Sequence, residues 1–304
     1  MSLYFNNIGN RKYNTWCNYT LRLDTYGCGC EHDCCYCYAK SLLKFRGLWD
    51  SKTPKIATLW EIKRVINKLP KNSIIKLGGM SDCFMPLEKK QQITFNTIKL
   101  LNYYKIHYLI VTKSNLVSSN EYIKIYDKNL AHFQISITST NEIISKKHEK
   151  VPTPFERIEA IEKLYKLGFD VSIRLSPFVT EFINIDVINS IKCNKILIEF
   201  LKVNHWIKKW FKIDYKDYSL KYGGYEHLQL ENKIKIIDGS AASTGVPNRK
   251  LYVLAQNNNG VIQNPTTRQI SMAFAGAGMT QTQVNNFTDP FEVAMDALGT
   301  GVIP

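Results

Sequence analysis

The chain has 304 residues, of which 44% are apolar and 22% charged, and a formal net charge of +14. This composition is typical of a soluble globular protein with one large core, and its apolar runs are shorter than the ~20 residues of a membrane span. The first residues lack the basic-then-apolar order of a signal peptide, and the eight cysteines are clustered rather than spread as a disulfide framework, so we expect a cytoplasmic protein without membrane association.

Strand and helix patterns alternate about six times along the first two thirds of the chain. Patterns typical of strands lie at 19–26, 73–77, 107–112, 132–138, 170–175 and 195–200. Helical periodicity lies between them, at 38–45, 58–69, 87–104, 118–126, 153–168 and 185–191. This order favours parallel βαβ units, so we predict an α/β protein with a partial (β/α)6 TIM-type barrel and a C-terminal appendage.

The clearest helix start is Thr153-Pro154-Phe155-Glu156, which offers an N-cap, a first-turn proline and the acid of a capping box. Gly168 is placed to end that helix. In a barrel of this type, functional side chains lie at the carboxyl ends of the strands. A cysteine-rich loop follows the first predicted strand, at the end where the fold places its chemistry.

Five of the eight cysteines lie within residues 28–37, and Cys30, Cys34 and Cys37 have the spacing C-x3-C-x2-C. A short loop can bring three thiolates to one corner of an iron–sulfur cubane. Three ligands for four irons leave one iron open to a small molecule. A structural zinc site is the alternative, with Cys28 or His32 as a fourth ligand, although zinc sites usually have a second Cys or His pair further along the chain.

The motif, with Tyr36 just before the last cysteine, resembles the signature of radical S-adenosylmethionine (SAM) enzymes. The run Gly29–Lys40 resembles the spore photoproduct lyase-like branch of that superfamily, and the likeness extends over about residues 19–179. Further segments recur in the same order, at Ser81-Asp82, Val111–Ser114, Ser136 and His148–Arg157. The resemblance implies a [4Fe-4S] cluster on the three cysteines, with SAM on the open iron. It also implies that one electron cleaves SAM to methionine and a 5′-deoxyadenosyl radical, which abstracts hydrogen from a substrate.

The resemblance further implies that the turn Gly78-Gly79-Met80 lies at SAM, in the place of the superfamily's Gly-Gly-Glu segment. Met80 replaces the acid, so Ser81 is expected to contact the SAM amino group; an ordinary tight turn is the structural alternative. Spore photoproduct lyase has a cysteine in the place of Gly79, which returns a hydrogen atom. Cys83 lies on the other side of Ser81, so we predict a substrate other than spore photoproduct.

Four more residues are candidate SAM contacts by the same resemblance. Lys113 is a candidate for the carboxylate or ribose, Arg174 for the carboxylate, and Ser136 for the ribose. The backbone of Tyr36 would hold adenine, with the ring packed in the core. The structural alternatives are a solvated surface lysine for Lys113, strand polarity for Ser136 and an ion pair with a nearby acid for Arg174.

Residues 201–225 interleave aromatic rings with lysines, as in the run His205–Lys212. Stacking rings beside positive charge suit single-stranded nucleic acid. The alternative, which we favour from the pattern, is an amphipathic helix with Trp206, Ile207 and Trp210 packed inward and its lysines in water.

The composition changes at Gly239. Residues 239–245 are typical of a linker, and 250–256 with a second run through Phe274 predict a hairpin. Acids and bases balance from Gly239 onward, so the first 238 residues carry the entire net charge of +14. This excess is expected for a polyanionic partner, and equally for a nucleotide bias that enriches Lys, Ile and Asn. We predict a radical SAM partial barrel at 1–238 and a polar, uncharged segment at 239–304, either a small β module or a disordered tail.

We therefore expect a radical SAM enzyme that starts hydrogen abstraction on an unidentified substrate, with nucleic acid ahead of a peptide or a small molecule. Its expected partners are a flavodoxin- or ferredoxin-like electron donor and a nucleic-acid substrate. The alternative is a non-catalytic, zinc-containing nucleic-acid-binding protein.

Overall fold

The computed structural model describes residues 5–7, 21–70, 73–222, 224–229 and 250–253. The strands among them are β1 (Phe5–Asn7), β2 (Leu21–Leu23), β3 (Tyr26–Gly27), β4 (Lys55–Ile56), β5 (Ile74–Leu77), β6 (His107–Thr112), β7 (Ala131–Ser136), β8 (Asp170–Phe178), β9 (Lys195–Phe200), β10 (Leu220–Tyr222), β11 (Tyr225–His227) and β12 (Lys250–Val253). The helices are α1 (Tyr38–Phe45), α2 (Leu59–Ile66), α3 (Glu88–Gln91), α4 (Ile93–Tyr103), α5 (Asn120–Ile123), α6 (Glu142–His148), α7 (Pro154–Lys166), α8 (Ile185–Ser190) and α9 (His205–Trp210).

One sheet organises the described part of the chain, in the order β1-β2-β5-β6-β7-β8-β9-β12. Strand β1 is antiparallel to β2, and every later pair from β2–β5 to β9–β12 is parallel. The six consecutive strands β2, β5, β6, β7, β8 and β9 correspond to the six predicted from the sequence. The predicted α/β class and partial (β/α)6 barrel are therefore confirmed.

The two faces of this sheet differ in polarity because successive side chains of a strand point to opposite sides. On β6, Tyr108 and Ile110 are fully buried, whereas Leu109 and Val111 on the other side are partly exposed. The buried side belongs to a large apolar core with α2, α4 and α7. The other side, which we call the interior face, carries the polar residues Arg22, Lys76, Gln134, Arg174 and Glu199.

Charged residues on separate strands of the interior face interact with one another. Lys76 on β5 and Arg174 on β8 are three strands apart in the sheet order, and burial, together with the positive charge of Arg174, lowers the pKa of Lys76 to about 8.

Helices α7 and α2 each begin at a capping box. Glu156 and Thr153 exchange hydrogen bonds at the start of α7, with Thr153 N donating to Glu156 Oε2 at 2.7 Å and Glu156 N donating to Thr153 Oγ1 at 3.2 Å, as the sequence predicted. Thr58 and Glu61 do the same for α2. Gly168, with φ of +82°, follows the end of α7, a left-handed conformation that glycine adopts without strain.

The single helix predicted at 87–104 is wrong, because the chain breaks at Gln92, whose φ is 51°. The carboxylate of Glu88, fully buried, accepts hydrogen bonds from Thr94 N at 3.0 Å and Phe95 N at 2.8 Å. It also accepts from the hydroxyls of Tyr26 and Tyr122. The acid therefore caps the first turn of α4, which requires α3 to end before it.

Of the predicted C-terminal segment, the structure describes β12, which pairs in parallel with β9 and so extends the main sheet. The predicted linker at 239–245 and the hairpin partner through Phe274 lie outside the described residues, and the boundary at 238 stays a prediction. Within the described residues, no helix is both long and apolar enough to cross a bilayer.

Candidate functional site

The cysteine loop connects β3 to α1 and is held by backbone hydrogen bonds. Asp33 N donates to Cys30 O at 3.2 Å, and Cys37 N donates to Cys34 O at 3.3 Å. Cys37 is also the N-cap of α1, since its Sγ accepts from Lys40 N at 3.4 Å. The loop therefore presents the three predicted ligands from a fixed turn and a helix start.

The three thiols of the motif lie within electrostatic range of one another. Burial raises the pKa of Cys30 and of Cys34, and the charge of Cys37 adds to the rise in both. Among the described side chains, no three His, Cys, Asp or Glu residues group as ligands of a single metal ion. Cluster ligands stand farther apart than ligands of one ion, because each binds a different iron atom. Cys30 and Cys34 are buried and Cys37 is half-buried in the same short loop, which fits a cluster that would stabilise the three thiols as thiolates.

The loop is fastened to the segment after α6. Cys35 N donates to His148 O at 3.0 Å, and Lys150 N donates to His32 O at 2.8 Å. His32 is buried, with its Nδ1 3.2 Å from Lys150 O and its Nε2 3.3 Å from Asp82 Oδ2. His32 thus shapes the loop, and Cys35 Sγ faces His148 Nδ1 at 3.4 Å.

The predicted glycine turn is organised by an acid that the sequence analysis did not single out. Asp24 Oδ1 accepts hydrogen bonds from the backbone N–H groups of Gly79 at 2.7 Å, Met80 at 2.8 Å and Ser81 at 3.3 Å. The Ser81 hydroxyl donates to Tyr26 O, so it is engaged with the backbone of the cysteine loop. Asp24 follows β2 directly, whereas the sequence pattern extended this strand to residue 26 and so placed Asp24 inside it rather than at a carboxyl end.

Gly78 is sterically required, and Gly79 makes room for the side chain of Arg22. A Cβ at Gly78, where φ is +81°, would lie 2.7 Å from Val111 O, and a Cβ at Gly79 would lie 1.9 Å from Arg22 Cδ. Tyr38, the first residue of α1, donates its hydroxyl to Gly79 O at 2.8 Å. The glycine turn and the cysteine loop therefore form one continuous rim.

Lys113 lies beside the cysteine loop, and its contact with SAM stays a prediction. Its Nζ lies 5.5 Å from the ring centroid of Tyr36 and donates to Ser176 O at 3.2 Å. Burial lowers the pKa of Lys113, and the charge of Cys34 opposes that effect. Its backbone N–H donates to Asp82 Oδ2 at 2.7 Å, so the strand end that carries Lys113 is fixed to the residue that also holds His32.

Tyr36 is buried, as expected, and its hydroxyl donates to Glu149. Glu149 is also buried and accepts from Thr138 Oγ1 at 2.7 Å and from Arg157 Nη2 at 2.7 Å. Burial raises the pKa of Glu149, and the Arg157 guanidinium lowers it. Ser136 is buried beside this network, and its carbonyl accepts from Arg157 Nη1 at 2.8 Å. The segment 148–157, which contains both Glu149 and Arg157 and recurs in the resemblance, was the sequence signal for this ion pair.

Arg174 lies on the interior face and forms an ion pair with a nearby acid, which was the structural alternative for this residue. Its Nη2 donates to Glu199 Oε2 at 2.5 Å, and its Nη1 donates to Gln134 Oε1 at 2.8 Å. Burial alone would raise the pKa of Glu199, but Arg174 and the Ser176 hydroxyl lower it to about 2. Arg174 is the register neighbour of Ser136, so it lies below the rim formed by the two loops.

Comparison with known proteins agrees with this geometry. The family model of the Radical SAM superfamily matches residues 25–184. The uncharacterized protein MJ0683 of Methanocaldococcus jannaschii is 28% identical over 170 residues, which are 53% of this chain and 61% of that protein. The chain thus spans less than two thirds of the length of this relative.

Two solved structures of spore photoproduct lyase share the fold. A double mutant with bound AdoMet and dinucleoside spore photoproduct has a TM-score of 0.57 at 13% identity, over 76% of this chain and 75% of that one. A tyrosine-to-phenylalanine mutant has a TM-score of 0.58 at 13% identity, over 81% and 80%. Together with the family match over more than half of the sequence, these findings show that the chain belongs to the radical SAM superfamily, whose members use a [4Fe-4S] cluster and SAM.

Proposed function

We propose that this radical SAM enzyme abstracts hydrogen from a nucleic-acid substrate that enters the barrel above the interior face. When bound, the [4Fe-4S] cluster and SAM supply the hydrogen-abstracting species. The residues of the chain hold both groups, exclude water and position the substrate. The single observation that carries the proposal is the three-thiol loop at the carboxyl ends of the parallel strands, next to the charged interior face.

Cys30, Cys34 and Cys37 would hold the cluster. Lys113, whose Nζ lies 5.5 Å from the ring centroid of Tyr36 in the cysteine loop, would bind the SAM carboxylate as a point charge. Gly78 and Gly79 would admit SAM to the backbone of the turn. Since the Ser81 hydroxyl is bonded to Tyr26 O, we assign Ser81 to the shape of the turn rather than to a side-chain contact.

Ser136 and Tyr36 would contact SAM through backbone atoms. The Tyr36 hydroxyl donates to Glu149 and the Ser136 carbonyl accepts from Arg157, so both residues are already part of the Glu149–Arg157 network. Arg174 would face the substrate rather than SAM, as its guanidinium is held on the interior face by Glu199. These assignments give each predicted site residue a role that agrees with its contacts.

The charge of the interior face supports an anionic substrate. Arg22, Lys76 and Arg174 supply three cations, against the carboxylates of Asp24 and Glu199. Arg22 Nε lies 3.4 Å from Asp24 Oδ2, and Arg174 pairs with Glu199, so the three cations exceed the two carboxylates by one charge. Phosphate groups complement the remaining positive charge, and the net charge of +14 for the whole chain agrees with a polyanionic partner.

Reversal of spore photoproduct by a cysteine at the turn is not proposed. Position 79 holds a glycine, and a side chain there would have to displace the side chain of Arg22. Cys83 and Cys193 are buried, with exposed fractions of 0% and 4%. A different lesion, or a modification of an intact nucleic acid, suits this site better, with a flavodoxin- or ferredoxin-like protein as the electron donor.

The test uses protein reconstituted anaerobically with iron and sulfide, reduced with dithionite, and supplied with SAM and a deuterated oligonucleotide. We expect a brown protein that releases 5′-deoxyadenosine containing deuterium, measured by mass spectrometry. Release of unlabelled deoxyadenosine with every oligonucleotide tried would reject nucleic acid as the substrate. A colourless protein with one tightly bound zinc would instead support the non-catalytic alternative.

A further inference from the structure

The segment after β9 does not pack as its pattern predicted. Ile207 is fully buried, but Trp206 and Trp210 are partly exposed, and neither ring belongs to the buried apolar clusters of the described residues. The two rings instead stack on each other, with centroids 5.7 Å apart and an interplanar angle of 29°. The expectation that both tryptophans pack inward is therefore wrong.

Three lysines surround this ring pair. Lys40 Nζ and Lys44 Nζ lie 5.1 Å and 5.4 Å from the centroid of Trp210, and Lys209 Nζ lies 6.0 Å from that of Trp206. Neither of the two contributing segments, 38–49 and 205–213, contains an acidic residue. Lys40 pairs with Asp33 at 2.6 Å, on the cysteine loop. Positive charge therefore dominates around the two rings.

The ring pair is joined to the cluster loop. Helix α1 begins directly after Cys37, and it contacts α9. Asn204, the N-cap of α9, donates to Ser41 Oγ of α1 at 3.0 Å. Since α9 starts just after the carboxyl end of β9, the rings lie toward the end of the barrel that carries the cysteines.

We infer that Trp206, Trp210, Lys40, Lys44 and Lys209 form a stacking platform for single-stranded nucleic acid. Aromatic rings can stack on the bases while the ammonium groups neutralise the phosphates. An acidic protein partner would use the lysines but would not need two stacked indoles at the surface. The inference rests on the proposed nucleic-acid substrate and assigns the surface that presents a strand to the barrel.

The experiment measures binding of a fluorescein-labelled oligothymidylate of about 12 nucleotides to full-length reconstituted protein, by fluorescence anisotropy at several salt concentrations. We expect W206A/W210A to weaken binding about tenfold or more, because stacking contributes strongly for each base. The variant W206F/W210F keeps aromatic rings and is expected to retain most of the affinity, which separates stacking from misfolding. The charge variant K44E/K209E should reduce the magnitude of the slope of log K against log salt by about 1.4, since each lost phosphate contact in a single strand removes about 0.7.

Trp60 provides the matched control. It is exposed on α2 with Arg64 4.8 Å from its ring centroid, so W60A removes an indole beside a cation outside the proposed platform. Binding should not change in W60A. Equal affinities of the unaltered protein and W206A/W210A would overturn the inference. Loss of binding in K44E/K209E, with binding retained in W206A/W210A, would also overturn it, because a surface for an acidic partner would depend on the lysines and not on the rings.

Deoxyadenosine release by the unaltered protein is measured in parallel. Release without oligonucleotide binding rejects the platform and leaves the radical SAM activity standing. Oligonucleotide binding without release rejects the proposed activity and leaves the platform standing.

Discussion

At the scale of single residues, the site is built from buried charges that hold one another in place. Asp24 fixes the glycine turn, Asp82 joins His32 to the strand end of Lys113, and Glu149 joins the cysteine loop to Arg157. Each carboxylate accepts several hydrogen bonds, which offsets part of the cost of removing its charge from water. These acids position the residues that would bind the cofactors.

The Glu149–Arg157 pair gives a direct test of this arrangement. Both side chains have exposed fractions of 0%, so R157M leaves an uncompensated buried carboxylate and should destabilise the fold by about 3–5 kcal/mol in urea unfolding. The control is K146M, which breaks the exposed Glu142–Lys146 pair and should cost at most about 0.5 kcal/mol. Similar losses in the two variants would show that Arg157 does not stabilise Glu149.

At the scale of elements, the sequence predicted those features of helices and strands that depend only on residues close together in the chain. The starts of α2 and α7 follow from capping boxes, and the strands follow from apolar alternation. The break at Gln92 was not predictable, because it depends on Glu88 meeting Tyr26 and Tyr122, which are distant in sequence. The exposure of Trp206 and Trp210 was missed for a similar reason, since it depends on α9 meeting α1.

Replacing Glu88 tests the origin of the break. In E88A, the N–H groups of Thr94 and Phe95 and two tyrosine hydroxyls lose their acceptor in the core, so we expect a loss of about 3 kcal/mol or more in urea unfolding. T58A removes only the exposed cap of α2 and should cost about 1 kcal/mol. Equal costs for the two variants would mean that Glu88 does not stabilise the start of α4.

At the scale of the whole molecule, the resemblance of the cysteine motif predicted the superfamily, and the alternation of elements predicted the partial barrel. The sequence could not show that Arg174 pairs with Glu199, since the acid lies on the next strand and the pairing follows from register. It also could not show that the Ser81 hydroxyl is bonded to Tyr26 O. Both features depend on how the strands and loops meet, which a local pattern does not encode.

The central claim is that three cysteines bind an iron–sulfur cluster that works with SAM. Its most direct test is the iron content and deoxyadenosine release of C30A/C34A/C37A after anaerobic reconstitution, with C193A, which changes a buried cysteine outside the loop, as the control. We predict about four irons per chain and deoxyadenosine release in the unaltered protein and C193A, and neither in the triple variant. Unchanged iron content and unchanged release in C30A/C34A/C37A would contradict the claim.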